Sequence, residues 1–286
     1  MVTTIETSVA DRPAIGQLAF PECPRWHANA WWFSDMHAQR VYRIRDDGAL
    51  DTVLQLDDRP AGLSFVGDSM YVVSMTKRAL LEVQGGAIVR RIDLSRDAPS
   101  HCNDMVMDAR RRAYIGNFGF DFEAHQQPCS TNLLMVQPDG SVSQVADGLM
   151  FPNGAVLSDD GTTLIVAESY ANRLTSFKVA DDGTLDARDT FARFEKRTPD
   201  GICLDAKGAI WMASPPTREV LRVERGGRVT HVIKTPVHAL ACMLGGEDGR
   251  TLFICSAPLA RPEKTRAAQA GRIDMVRVDT PHAGRP

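Results

Sequence analysis

The sequence lacks several features that would each have fixed a class. No apolar run approaches the ~20 residues needed to cross a bilayer as a helix. No basic block is present, and Asp plus Glu number 36 against 33 Lys plus Arg, a net charge of −3. That balance argues against nucleic acid or an anionic membrane as a partner. The six cysteines, Cys23, Cys102, Cys129, Cys203, Cys242 and Cys255, include no CxxC pair. This weakens a zinc-ribbon or thioredoxin-like reading and points to buried reduced thiols. The opening stretch MVTTIETSVADRP has neither a basic n-region nor an apolar core, so a cytoplasmic location is expected. Helical periodicity is nearly absent, which excludes a helical solenoid. No GxSxG elbow occurs, which disfavours a serine hydrolase.

What the sequence does contain is a repeat. A Pro-containing loop leads into a short apolar strand, an Asp- or Gly-bearing turn, a second apolar strand ending in small residues, and a third strand rich in Val, Leu and Arg. Residues 201–226, 154–183 and 61–86 show this grammar plainly. Further copies begin near Pro24, Asn103 and Ala239, making six. The anchoring prolines are Pro21, Pro60, Pro99, Pro152, Pro199 and Pro236. A spacing of roughly 40–50 residues fits four short strands per copy. The expected fold is all-β, a six-bladed β-propeller of four-stranded antiparallel blades forming one domain over residues 1–286. The last copy runs short of strands, so an N-terminal strand near Thr4–Val9 is expected to close the ring.

In such a ring the loop entering each innermost strand lies at one mouth of the central channel. Equivalent loop positions therefore converge, and Glu22, Asn103, Asn153 and Asp200 become neighbours. Taken one at a time, Asn153–Gly154 and Asp200–Gly201 read as turns. Together, two carboxylates and one or two amides make a hard oxygen site suited to Ca²⁺, Mg²⁺ or Mn²⁺, with Zn²⁺ possible.

The motifs PECPRW at 21–26, CND at 102–104, FPNG at 151–154 and TPDGICLDAKGAIWMA at 198–213 resemble the SMP-30/gluconolactonase/luciferin-regenerating-enzyme family. The resemblance covers essentially the whole chain. It implies a six-bladed propeller with one divalent ion, Ca²⁺ first among the candidates, and a metal-dependent lactone hydrolase. Glu22, Asn153 and Asp200 correspond to the metal ligands, Asn103 to a substrate-side asparagine, and Asp200 also to the general base or water activator. The chain departs from the family pattern at Cys23, Met105 and His101. The last stands where members acting on sugar lactones can carry Arg, which counts against an aldonolactone substrate.

Residues 116–131 form the longest irregular stretch and carry Phe118, Phe120 and Phe122 among Asp121, Glu123 and His125. They read either as a strand with one apolar face or as an apolar wall over the mouth. Phe118, Asp121 and His101 are candidate substrate contacts, and His238 in the sixth entry loop is another. Trp26, Trp31, Trp32 and Trp211 read as packing between blades. Rival functions on the same scaffold are an esterase or organophosphate hydrolase, a lyase or isomerase, and a calcium-binding protein without turnover. The expected partner is a small lactone or ester, and the expected state a monomer or weak homo-oligomer.

Overall fold

The innermost strands are buried almost throughout, polar entry residues included, because both faces of each are covered by neighbouring sheets. Cys102–Met107, for instance, is buried at every position. Strands enclosed on both sides read as continuous apolar runs rather than as alternation. The outermost strands keep one face in water, as the largely exposed Ala87–Asp93 shows. This inner-to-outer gradient orders every sheet.

The computed structural model describes residues 4–10, 14–45 and 47–286. Six sheets form in sequence order. The first contains Pro21–His27, Ala30–Asp35, Arg40–Ile44 and Leu50–Gln55. The second contains Pro60–Val66, Ser69–Ser74, Ala79–Gln84 and Ala87–Asp93. The third contains Cys102–Met107, Ala113–Asn117, Thr131–Val136 and Val142–Leu149. The fourth contains Pro152–Leu157, Thr163–Glu168, Arg173–Val179 and Leu185–Arg193. The fifth is built on Ile202–Asp205, Ile210–Ser214, Glu219–Val223 and Val229–Lys234. The sixth follows with His238–Gly245, Thr251–Ala257 and Gly271–Arg277. The first strand of each sheet touches the first strands of both neighbouring sheets, so these six strands form the wall of a central channel. The six-bladed propeller is therefore as expected.

The ring is closed by an N-terminal strand, but two short segments share the task assigned to Thr4–Val9. Ile15–Leu18 pairs antiparallel with Gly271–Arg277 and is the fourth strand of the sixth blade. Ile5–Ser8 instead runs parallel to Val229–Lys234 and adds an outer strand to the fifth blade. Two open edges were available, and each took one segment. At the far end of the channel, His282–Ala283 pairs with Leu204 and Asp205, while Leu157 and Arg285 exchange two backbone hydrogen bonds of 2.8 Å. This late segment thus ties the fourth and fifth inner strands together. One α-helix forms among the described residues, Pro262–Ala268, started by a proline in its first turn with Glu263 there and Arg266 in the last, an arrangement that suits the helix dipole.

The tryptophans do pack between blades in part. Trp31 of the first blade stacks on Phe253 of the sixth at 4.5 Å, and Trp32 meets Phe65 of the second at 5.0 Å. Trp211 packs within its own blade against His231.

Deleting residues through Leu18 is expected to lower the melting midpoint by about 10 °C or more, because the sixth blade loses a strand. Deletion through Ser8 alone should cost only a few degrees. Circular-dichroism melts of both truncations decide this, and equal midpoints for the intact and Leu18-truncated chains would show the closing strand to be dispensable.

Candidate functional site

At the entry to the inner strands the pairing slips. The register of the inner strand against its neighbour shifts between Glu22 and Arg25, Pro60 and Leu63, Cys102 and Met105, Pro152 and Ala155, and Ala239 and Ala241. A β-bulge bends a strand and re-aims its side chains. In the fifth blade Asp200 N–H and Ala213 N–H make 3.0 Å bonds to the carbonyls of Ala213 and Gly201, continuing the pairing ahead of Ile202. The residue at each slip falls at one equivalent position: Glu22, Ala61, Asn103, Asn153, Asp200 and Ala239. Four blades thus offer a polar group and two offer a methyl.

The strand entries depart from the sequence expectation in two ways. The residue preceding the slip is proline in four blades, but in the third and sixth it is Cys102 and His238, paired with Asn117 and Ala257. Pro99 and Pro236 lie upstream of these positions. The Pro-x-Gly tetrapeptides are also strand entries rather than turns. Gly62, Gly154 and Gly201 do not adopt positive φ. A Cβ on Gly154 would lie 2.7 Å from the Asp200 carbonyl and the Ile202 nitrogen. One on Gly201 would run into Ala241, and one on Gly62 into the backbone of Met105. These glycines let adjacent inner strands touch. Cys23 takes the same position in the first blade with φ +48°.

The convergence follows. Asn153 donates from its amide nitrogen to the Asp200 carboxylate and, at 3.2 Å, to Ser169 Oγ. Ser169 in turn donates to the Pro199 carbonyl at 2.8 Å, holding the loop that carries Asp200. Glu22 is buried and accepts the Cys23 N–H at 3.0 Å. Asn103 is buried with its amide nitrogen lacking any partner. Burial pushes the Glu22 carboxyl well above its ordinary range, and the charges of Asp200 and Asp104 push it further. Asp200 is raised to about 8 by burial, with Asp104 adding to the rise and the Asn153 hydrogen bond opposing it. Two carboxyls that destabilise each other's charge are a natural place for a cation. Among the described residues no group of three or more His, Cys, Asp or Glu side chains is arranged around a cation position. A cation here would rest on two carboxylates plus amide oxygen.

The remaining candidates separate. His101 is half-buried, its ring 5.7 Å from that of Phe118, and burial lowers its pKa. Phe118 stacks on Phe151 at 4.3 Å. Asp121 is exposed and accepts the Ala124 N–H at 2.9 Å, which fixes the loop's own turn, while staying within electrostatic reach of His101. His238 bonds the Pro215 carbonyl through Nδ1 at 2.9 Å. A carbonyl only accepts, so Nδ1 is the donor in this contact and Nε2 is the ring nitrogen left for another partner.

Residues 118–130 form no strand, which removes the alternation reading. The loop is tied to the rim by Phe118 N–H on the His101 carbonyl at 2.9 Å and by an Arg59–Glu123 ion pair. Its phenylalanines join Phe151 and Tyr170 in one aromatic cluster, with Phe120 edge-on to Tyr170 at 5.1 Å. Phe151, Tyr170, Arg59, Asp104 and Arg25 were not singled out from the sequence. The repeat did contain a signal for two of them: Arg59 and Phe151 occupy the position of His101 in their own blades, two residues before the slip.

A family model described as the SMP-30/Gluconolactonase/LRE-like region matches residues 20–258. A regucalcin from Gallus gallus is 25% identical over 281 residues, covering 94% of this chain and 92% of the relative. An L-arabinolactonase from Azospirillum brasilense is 24% identical, covering 92% and 84%. The crystal structure of a calcium-binding protein, regucalcin, from Agrobacterium tumefaciens superposes with a TM-score of 0.83 at 18% identity, covering 99% of both chains. That likeness carries the fold alone.

The raised carboxyls give a sign for stability. The folded chain holds protons that the unfolded chain releases near pH 4, so stability falls as pH rises from there towards the Asp200 value of about 8. Chelator-treated protein should therefore melt lower at pH 8 than at pH 5, and Asp200→Asn should flatten that slope. A slope unchanged in Asp200→Asn would show that the pair is not its source.

Proposed function

Because the chain belongs to the SMP-30/gluconolactonase/LRE-like family, we propose that it hydrolyses a lactone at the channel mouth, using a divalent cation held by Glu22, Asn153 and Asp200. The observation that carries this reading is the convergence of side chains from separate blades: Asn153 of the fourth donates to Asp200 of the fifth, and buried Glu22 of the first lies within electrostatic reach of Asp200. The donor set fits such an ion. Asn153 spends its N–H donors on Asp200 and Ser169, which leaves its oxygen as the atom available to a cation. Ca²⁺ is the first candidate, with Mg²⁺, Mn²⁺ and Zn²⁺ behind it, because carboxylate and amide oxygens are hard ligands. When bound, the ion supplies Lewis acidity at the carbonyl and acidifies water.

The chain's own groups supply the rest. Asp200 accepts a proton from water as the water oxygen bonds to the lactone carbonyl carbon. The ring C–O bond then breaks, and the same proton passes to the departing alkoxide, giving a hydroxy acid. Asn103 has a buried N–H with no partner, so a substrate oxygen seated there would satisfy it. Phe118, Phe122 and Phe151 wall the approach, with Phe122 48% exposed, and favour a substrate carrying an apolar or flat substituent over a polyhydroxylated one. His101 faces Phe118 and offers one donor and one acceptor. His238 contributes through Nε2, and Asp121 acts from the loop. The lactonase named among the relatives supports the reaction class. All six cysteines are unpaired and five are buried, which suits the cytoplasmic setting we assign.

The test is a lactone panel assayed on chelator-stripped protein with each ion added back. Activity should return with the ion, and Asp200→Ala should lower kcat/KM about 10²–10⁴-fold. Phe122→Ala should raise KM for alkyl- or aryl-substituted lactones several-fold and leave small unsubstituted rings nearly unchanged. Full activity in stripped protein or in Asp200→Ala sinks the mechanism. Metal binding without turnover of any lactone favours a calcium-binding protein instead.

A further inference from the structure

Arg25 lies on the innermost strand of the first blade, three residues beyond Glu22, and is only 4% exposed. Every arm of its guanidinium is engaged. Nε donates to the Leu63 carbonyl at 2.8 Å and Nη1 to the Pro24 carbonyl at 2.9 Å. Nη2 donates to Asp104 Oδ1 at 2.5 Å and to the Met105 carbonyl at 2.9 Å. The side chain is thus pinned to backbone in three consecutive blades. Asp104 follows Asn103 directly and is 4% exposed. Its Oδ1 also accepts the Met105 N–H at 2.8 Å. A carboxylate this close to the mouth acts on both Glu22 and Asp200 electrostatically, yet its Oδ1 is already spent on two donors.

We infer that Arg25 is a positioning residue that withholds Asp104 from the cation and sets the charge of the channel mouth. This rests on the cation reading above. Three carboxylates, Glu22, Asp104 and Asp200, stand against one guanidinium, leaving two negative charges to face one divalent ion. Without Arg25 the mouth would carry three, and Asp104 would lose the strongest of the contacts that hold it away from the ion, keeping the Met105 N–H. The ion would then be held more tightly and with fewer positions left for water and substrate. Arginine suits the role because its rigid fork engages several carbonyls and one carboxylate at once while remaining charged.

The experiment is calorimetric titration of Ca²⁺ into chelator-stripped full-length protein, with melting curves confirming that each variant is folded. Arg25→Met should bind Ca²⁺ about tenfold or more tightly, and Asp104→Asn about tenfold or more weakly, because the Arg25 charge then stands unopposed. The double variant restores the count and should return to within about threefold of the parent affinity. Arg25→Lys keeps the charge but loses the fork, so its affinity should fall between those of the parent and Arg25→Met. Removing one partner of a buried ion pair is costly. If Arg25→Met does not fold, Asp104→Asn and the double variant decide the matter. Affinity unchanged in both would overturn the inference and leave the pair as a brace between blades. A parent protein that binds no divalent ion would instead overturn the cation reading itself.

Discussion

Everything at the channel mouth depends on how closely neighbouring inner strands approach. Gly62, Gly154 and Gly201 have no side chain because the next blade's backbone occupies that space. With the strands in contact, the residue just before each glycine is pushed to the channel side of the bulge. Ala61, Asn153 and Asp200 hold that position in their blades, and Glu22 and Asn103 hold it where Cys23 and Asp104 replace the glycine. The site is thus a by-product of wall packing. Its chemistry is set by the residue each blade places at that position.

That placement has an electrostatic cost. Carboxyls gathered in the buried throat of a channel repel one another and lose water. The chain offsets part of this with directed hydrogen bonds: Asn153 on Asp200, the Cys23 N–H on Glu22, and Arg25 Nη2 on Asp104. Elsewhere on the same rim, buried acids are fully served. Asp35 accepts the N–H groups of Ala19 and Phe20 at 2.8 Å, and Glu168 accepts Arg173 and Thr175. Several donors on Asp35 and Glu168, against one each on Glu22 and Asp200, separate structural acids from those left facing the channel.

The repeat was legible because inner strands covered on both faces read as apolar runs, and because the entry residues recur in register. Glu22, Asn103, Asn153 and Asp200 could be grouped for that reason alone. Proline does not mark the entry in the third and sixth blades, where Cys102 and His238 fill the same backbone position. The closing strand was misplaced because Ile5–Ser8 and Ile15–Leu18 are both short and only partner edges distinguish them. Arg25–Asp104 left no trace in the sequence, since the partners lie 79 residues apart and no local pattern links them. Arg59 and Phe151 lie one step outside that register, two residues before the slip, because the rim is built from two positions per blade.

The pairing of Ile15 with Ile273 joins segments from opposite ends of the described chain. During folding, five blades can assemble from contacts local to each hairpin, but the sixth must wait for a partner more than two hundred residues away. Until it arrives, Gly271–Arg277 presents an unpaired edge that already carries an exposed Met275. An open edge of this kind pairs as readily with a neighbouring molecule's closing strand as with its own. Loop-closure entropy makes such long-range pairing slow. Crowding of half-closed rings therefore competes with intramolecular closure, and the yield of monomeric rings depends on how dilute the chain is while it folds.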